Sequence, residues 1–291
     1  MTGSIQSRYS EHVVLETGKQ SPLSGKADDQ LRTVARSVDV LELVITSGST
    51  TLKDVQRELG LGHTVAHRIL QTWTSLHYLN FDAQRKVYRA GLKLLWTGMR
   101  VRAALDNPDL DARLRTVFNT LGFTANVGVL DGRDVIHVAR NEGRYGPFRV
   151  EVGSALPAHA TALGRLLLAF EPETSIVRRY TDHDLTMFTP STITTVPMLL
   201  EDLREIRRRM YAFSYGMIDA ASATVAVPLR DSDGHVVASM NAVGPIGDFG
   251  TEAVRDRILP AMIEIAGPPV SLPPLIAGRQ SYRHIPKEHL A

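Results

Sequence analysis

A helix predicted to begin after Gly62 carries the side chains of this chain that are best suited to chemistry. Five polar residues recur along it at the spacing of one helical face: Thr64, His67, Arg68, Gln71 and Ser75. We expect the opposite face to be buried through Ala66, Ile69, Leu70, Trp73 and Leu76. Hydroxyl, imidazole, guanidinium and amide groups contact phosphate oxygens and base edges. The pattern therefore predicts a helix that reads duplex DNA, although many surface helices with a polar face bind nothing.

A shorter helix and a hairpin would position this polar face. The shorter helix has an apolar face formed by Leu52, Val55 and Leu59. Gly60 and Gly62 follow it, and glycine allows the sharp turn between two helices. After the second helix, the order strand, polar loop and strand over residues 78–89 predicts a wing. Arg85 and Lys86 lie at its tip, where they would reach a phosphate or the minor groove; a solvated hairpin is the alternative.

Basic residues are concentrated around the predicted helix pair. The whole chain has a formal net charge of +2. Residues 31–100 alone hold ten Lys and Arg against five Asp and Glu, whereas the rest of the chain is slightly acidic. This distribution indicates a polyanionic partner for that segment.

Composition excludes several classes of protein and site. The 291 residues suffice for two domains, and a 43% hydrophobic content can form a buried core. The chain has no cysteine, which excludes disulfides, thiolate metal sites and a cysteine nucleophile and suits a reducing cytoplasm. No apolar run approaches the roughly 20 residues that span a bilayer, and the N-terminus lacks a signal pattern. We therefore expect a cytoplasmic protein with no membrane partner.

Two polar tails and a DNA-binding domain are predicted from the composition along the chain. Residues 1–30 are polar and rich in Ser and Gly, and we expect them to form a mobile tail, as we do residues 273–291. Residues 31–90 form the predicted winged helix-turn-helix domain. Its first helix, over residues 31–47, is predicted to turn inward Val34, Val38, Leu41 and either Val44 or Ile45.

A linker helix and a second domain follow. Residues 91–107 form an apolar helix that ends near Asn107-Pro108, and a dimer contact or packing on its own chain would cover it. In residues 108–272, predicted hairpins alternate with helices. That order predicts an antiparallel sheet flanked by helices, so the fold class is α+β.

One segment of the second domain, VGSALPAHATALGR from Val152 to Arg165, is rich in small residues. We expect a strand over residues 148–152 and a helix over residues 158–170. Small residues let a ligand or a backbone approach closely, and the free N–H groups of a helix start suit an anionic ligand. Tight packing of this helix on the sheet is the alternative.

Enzyme signatures are missing from the sequence. It has no Gly-x-Ser-x-Gly elbow, no phosphate-binding glycine loop and no His-Glu-x-x-His, and its ten histidines show no metal-ligand spacing. We therefore expect no enzyme activity, no cofactor and no metal site. Two rival hypotheses remain: an enzyme that uses His159 and Asp219 as acid and base, and a partner-binding module whose helix pair only packs.

Several motifs resemble the IclR-type bacterial transcription regulators. They are RSVDVLELV, TLKDVQRELGLGHTVAHRIL, VYRAGLKLL, VGSALPAHATALGRLLLAF, YAFSYG and VAVPLRDSDGHVVASMNAVGP, within residues 34–268. The resemblance implies a winged helix-turn-helix, a linker helix that dimerises, and a GAF-like domain that binds a small organic effector. It further implies homodimers or homotetramers on double-stranded DNA operators, with repression the commoner mode.

The resemblance also assigns site residues. For DNA binding it points to the stretch His63–Arg68. With Gln71 from the polar helix face and Arg85 and Lys86 from the wing tip, the predicted DNA-binding set comprises His63, Thr64, Val65, His67, Arg68, Gln71, Arg85 and Lys86. Val65 can touch a thymine methyl but cannot donate a hydrogen bond to a base. The effector set comprises Tyr145, Phe148, Ala162, Leu163, Ser214, Asp219, Ser222, Thr224, Asn241 and Val243. These walls suit a small aromatic or acidic molecule, with Asn241 and Thr224 favoured over Leu163 and Val243, for which a core role is the alternative.

Overall fold

The computed structural model describes residues 29–143 and 150–273, and the chain divides into two compact units between Ala103 and Ala104. The two predicted tails lie outside the described residues, apart from residues 29, 30 and 273. Within the described ranges, no helix is both long and apolar enough to cross a membrane.

The first unit has the element order of a winged helix-turn-helix. Its elements are α1 (Asp29–Thr46), α2 (Leu52–Leu59), α3 (His63–Ser75), β1 (Leu79–Asp82), β2 (Val87–Ala90) and α4 (Leu92–Ala103). Strands β1 and β2 pair antiparallel, with Leu79 opposite Ala90 and Asp82 opposite Val87. The predicted helix pair and wing are therefore present.

Local hydrogen bonds fix the start and the end of α2. The Thr51 backbone N–H donates to Asp54 Oδ2 (3.0 Å), and the Asp54 N–H donates to Thr51 Oγ1 (3.2 Å). This capping box satisfies two donors that the first helical turn would leave unpaired. Gly60 ends the helix in the left-handed conformation (φ 62°), which glycine adopts without steric cost. The turn into α3 is therefore encoded locally.

The core of the first unit corrects the predicted orientation of α1. Val40 and Val44 are fully buried, whereas Val34 and Val38 are exposed. The Trp73 indole N–H donates to the Ser37 carbonyl (2.8 Å), so a side chain of α3 contacts α1 at Ser37. Leu76 lies beyond the end of α3 and is 45% exposed, so its predicted burial was also wrong.

Helix α4 has an apolar surface that its own unit leaves exposed. None of its side chains is buried. Large apolar residues that recur along it are 57–79% exposed: Leu92, Leu95, Trp96 and Met99. A soluble chain rarely leaves such a row uncovered.

The second unit is built on an antiparallel sheet. Its described strands are β3 (Thr124–Asp131), β4 (Asp134–Asn141), β5 (Ala155–Pro157), β6 (Ala212–Tyr215), β7 (Ser222–Arg230) and β8 (Val236–Pro245). They lie side by side in the order β5-β4-β3-β8-β7-β6. The helices are α5 (Pro108–Leu121), α6 (Ala162–Ala169), α7 (Glu173–Tyr180), α8 (Val196–Arg209), α9 (Thr251–Ala253) and, after a π-helical turn (Val254–Ile258), α10 (Leu259–Ala266).

Alternate residues of the central strands face opposite layers of helices. Side chains on one side of the sheet join α5 and α10 in a core that includes Leu114, Val127, Val225, Met240 and Met262. On the other side lies α6. The Ser239 hydroxyl donates to the Leu163 carbonyl (3.0 Å), and a Cβ on Gly128 would lie 3.2 Å from Leu163 Cδ1. This second side, between sheet and α6, holds the polar residues described below.

Two elements predicted around the small-residue segment differ from those in the structure. Residues 150–152 form no strand, because the chain turns through Gly153 (φ 95°); the strand β5 begins at Ala155 instead, and residues 148 and 149 lie outside the described part. Residues 158–160 form a 3₁₀ turn, and α6 starts only after Thr161, whose hydroxyl oxygen accepts the Gly164 N–H (3.0 Å). The predicted α+β class is confirmed.

Candidate functional sites

The polar face of α3 is open to solvent. His63, Thr64, Val65, Arg68 and Gln71 are exposed, and His67 is half-buried. The His63 and His67 rings stack with centroids 5.9 Å apart. An open groove runs between α3 and the wing, with walls formed by His67, Arg68, Gln71, Thr72, Thr74, Ser75, Phe81 and Tyr88. The structure thus brings together the α3 residues predicted to bind DNA, beside a groove.

Asp82 shapes the tip of the wing. Its Oδ1 accepts the backbone N–H groups of Gln84 (3.1 Å) and Arg85 (3.0 Å), which closes the turn between β1 and β2. Both predicted contact residues, Arg85 and Lys86, are exposed there. The Arg85 guanidinium lies 3.7 Å from the Asp82 carboxylate, which offsets part of its charge.

Two cations of the first unit keep their full charge for a partner. Arg68 on α3 and Lys86 on the wing are exposed, and neither forms an ion pair with any residue that the structure describes. An exposed, unpaired cation is attracted to phosphate and has no internal contact to break.

A cavity lies between the sheet and the start of α6. It is open to solvent at one side, and its walls combine apolar side chains with hydroxyl, amide and guanidinium groups. Seven residues of the predicted effector set line it: Ala162, Leu163, Ser214, Ser222, Thr224, Asn241 and Val243. Asp219 does not line it and lies in the turn before β7, where its carbonyl accepts the Ser222 N–H (3.0 Å). Tyr145 and Phe148 lie outside the described residues.

The cavity also has polar walls that sequence reasoning missed. They are Thr124, Asn126, His137, Arg140 and Thr161, together with the apolar Val150, Leu156, Ala160 and Ile218. Strand pairing brings the polar ones together, since Asn126 lies opposite Arg140 on β4 and opposite Asn241 on β8. A polar row therefore crosses three neighbouring strands.

The charge of the cavity is positive. Arg140 is its cation, and none of the described lining residues is an Asp or a Glu. The Arg140 guanidinium donates to the Val150 carbonyl and lies 3.6 Å from Glu142, whose side chain is half-exposed to solvent. Burial lowers the pKa of His137 to about 4, so this imidazole is neutral at pH 7. A carboxylate would meet an attractive cation and no buried acid here.

The residues of the rival enzyme hypothesis do not lie at this cavity. His159 is buried outside it, between the rings of Tyr180 and Phe188, and its Nε2 lies 3.1 Å from the Thr186 carbonyl. Burial lowers the pKa of His159, as expected for a packed core imidazole. Neither His159 nor Asp219 therefore lines this cavity.

Among the residues that the structure describes, one group of metal-type ligands occurs in the turn between β7 and β8. Oxygen and nitrogen atoms of Asp231, Asp233 and His235 lie within 4.8 Å of one another. Asp231 Oδ1 accepts the backbone N–H groups of Asp233 (3.0 Å) and His235 (2.9 Å). These hydrogen bonds close the turn, and the turn accounts for the short distances between the three side chains.

Two families of known proteins match the chain along most of its length. The family described as bacterial transcriptional regulator IclR, C-terminal, matches residues 108–269. The IclR helix-turn-helix domain matches residues 33–83. The chain belongs to the IclR family of bacterial transcriptional regulators. The IclR resemblance inferred from the motifs is confirmed, and so are the DNA-binding and effector-binding functions and the conclusion that the chain is not an enzyme.

Individual IclR proteins resemble the chain over nearly their whole length. The regulator BhcR of Paracoccus denitrificans is 27% identical over 86% of this chain and 91% of its own. An IclR regulator from Alicyclobacillus acidocaldarius is 27% identical, with a TM-score of 0.64 over 81% of this chain and 96% of that chain.

A second solved structure is similar to about half of the chain. It is a double mutant of the inducer-binding domain of the PobR transcription factor from Acinetobacter, in complex with 3-hydroxybenzoic acid. That domain is 26% identical, with a TM-score of 0.52 over 56% of this chain and 96% of its own.

Proposed function

We propose that α3 enters the major groove of an operator and reads it with Thr64, His67 and Arg68. The exposure of Arg68 and its freedom from ion pairs within the described residues carry this proposal. Arg68 can donate two parallel hydrogen bonds to a guanine, and Val65 can touch a thymine methyl. His63 and Gln71 flank these contacts.

The wing holds the DNA backbone in this proposal. Lys86 binds a phosphate as a point charge, and Arg85 binds more weakly because Asp82 lies 3.7 Å from it. In Lys86→Gln, we expect the slope of log affinity against log salt to fall by about 0.9, the value for one phosphate contact, with sequence preference unchanged. Arg255→Gln is the control, since Arg255 is an exposed cation of the other unit. An unchanged slope in Lys86→Gln would remove the wing from the interface.

The cavity of the second unit binds the effector, a small organic acid. Three features support an acid: the Arg140 cation, the lack of acidic side chains among the described walls, and the N-terminus of α6 at Thr161, Ala162 and Leu163. The complex of the PobR inducer-binding domain with 3-hydroxybenzoic acid agrees with this class of ligand. Effector binding shifts the population between two placements of the DNA-binding domains and so changes operator affinity.

Substitutions of Arg140 test whether the effector is an acid. Thermal-shift titration of the full chain with benzoate, 3-hydroxybenzoate, lactate and propionate should reveal a stabilising acid. Arg140→Gln should lower the affinity for that acid by tenfold or more, whereas Arg140→Lys, which keeps the charge, should lower it less. Equal affinity in wild type and Arg140→Gln would contradict an anion site at Arg140.

The chain acts as a homodimer or homotetramer whose subunits meet through α4. Leu95, Trp96 and Met99 are 57–62% exposed on one helix, and a second copy of the helix would cover them. Residues 91–107, which contain this helix, link a DNA-binding domain (31–90) to an effector domain (108–272) in this proposal. Sedimentation of Met99→Glu should show dissociation, while Met187→Glu, at an equally exposed methionine of the other unit, should not.

Because its partner is DNA, the chain acts in the cytoplasm in this proposal. Its predicted mode of regulation is repression. Transcription from an operator-fused reporter should rise when the gene is deleted. A fall in the same reporter would assign activation instead.

A further inference from the structure

The buried amide of Asn126 has a fixed orientation. Asn241 Oδ1 accepts two hydrogen bonds from Asn126, one from the backbone N–H (3.0 Å) and one from the side-chain Nδ2 (3.0 Å). A flipped Asn126 amide would place two oxygens against each other. Asn126 Oδ1 therefore points away from Asn241 and is an acceptor.

This acceptor has no partner within the described part of the chain. Asn126 is 3% exposed, and its Oδ1 is buried without a hydrogen bond. The residue lines the cavity, in the strand position opposite Arg140. A buried acceptor of this kind needs a donor, from a water or from a ligand, because leaving it unpaired costs free energy.

We propose that Asn126 selects effectors that carry a hydroxyl group, so that the ligand is a hydroxy acid whose hydroxyl donates to Asn126 Oδ1. This inference rests on the proposed acid effector, whose carboxylate is attracted by Arg140. Asn126 is the specificity-determining residue, because its second polar atom is already committed to Asn241 and cannot rotate to suit another ligand. An acid without the hydroxyl would displace water from Oδ1 and leave it unpaired.

Matched pairs of acids test the preference. Calorimetric titration of the full chain would compare 3-hydroxybenzoate and 4-hydroxybenzoate with benzoate, and lactate with propionate. We expect at least one hydroxy acid to bind tenfold or more tightly than its partner; tenfold corresponds to about 1.4 kcal/mol. Binding of no acid in the set, or affinities within twofold for each pair, would overturn the proposal.

Variants assign the preference to the amide. In Asn126→Leu, which is similar in volume, the preference should fall to within twofold; Asn126→Ala serves if the first variant does not fold. Asn141→Leu is the control, because its amide on β4 donates to the Leu114 carbonyl and does not line the cavity, so the tenfold preference should persist. A tenfold preference retained in both Asn126 variants would refute the role of Asn126.

Operator binding, measured separately, distinguishes this inference from the regulatory function. A hydroxyl preference without any change in operator affinity supports the inference and removes the regulatory role of the cavity. An operator response to the acids without a hydroxyl preference overturns the inference and keeps the regulatory role.

Discussion

Lowering the pH from 7.5 to 5 should destabilise the second unit through His137. Burial is the main cause that lowers the pKa of this imidazole from 6.5 to about 4 in the folded chain; the Arg140 charge lowers it further, and the Ser154 carbonyl, 3.3 Å from Nδ1, acts in the opposite direction. Between these two values the unfolded chain binds more protons than the folded one. The stability is thus fully present above pH 6.5 and is lost as the pH falls toward 4.

The size of the loss follows from the two pKa values. At pH 5 the unfolded imidazole is almost fully protonated and the folded one is largely neutral, which corresponds to about 2 kcal/mol. His137→Gln has no proton to gain, so between pH 7.5 and 5 it should lose about 2 kcal/mol less than the wild type. His159, whose pKa is lowered by burial too, is present in both proteins and cancels in the comparison.

Urea unfolding at both pH values measures this difference. Both tryptophans, Trp73 and Trp96, lie in the first unit, so their fluorescence reports that unit, while far-UV circular dichroism reports both. The transition seen only by circular dichroism belongs to the second unit. Equal losses in wild type and His137→Gln would refute the argument, as would a pKa near 6.5 for His137 by NMR.

Two further substitutions test how the units are built. Thr51→Ala removes one side of the capping box of α2 and should destabilise the first unit by about 1 kcal/mol in tryptophan-monitored unfolding; no change would show that the box is dispensable. In Gly164→Ala the new Cβ would lie 2.3 Å from Ala158 Cα. Unfolding followed by circular dichroism should therefore show that the free energy of unfolding of the second unit falls by about 1–3 kcal/mol. Gly247→Ala, with no heavy atom within 4 Å, is the control, and equal stability of the two variants would contradict the close contact.

The DNA-binding unit was predictable because its signals are local. The apolar spacing of α2 and α3, the glycines between them and the polar turn before Val87 each act over a few residues. The error on α1 arose because that helix carries two apolar stripes. One contains Val34 and Val38, the other Val40 and Val44, and only tertiary contact selects between them.

The cavity was only partly predictable because strand pairing assembles it. Alternation along β3 offered one signal: Ala125 and Val127 point into the core, so Thr124 and Asn126 must face the other side. His137 and Arg140 are three residues apart, which in a regular strand puts them on opposite faces. An irregularity in the β3–β4 pairing between Val127 and Gly128 brings both to the cavity, and no sequence pattern marks it.

Operator recognition by Arg68 is the most direct test of this account. Full-length wild type and Arg68→Ala would be titrated by fluorescence anisotropy against an operator recovered from genomic fragments and against single base-pair variants of it. We predict that Arg68→Ala loses roughly 1–3 kcal/mol of operator affinity and no longer discriminates at one base pair. Unchanged affinity and discrimination would contradict the placement of α3 in the major groove.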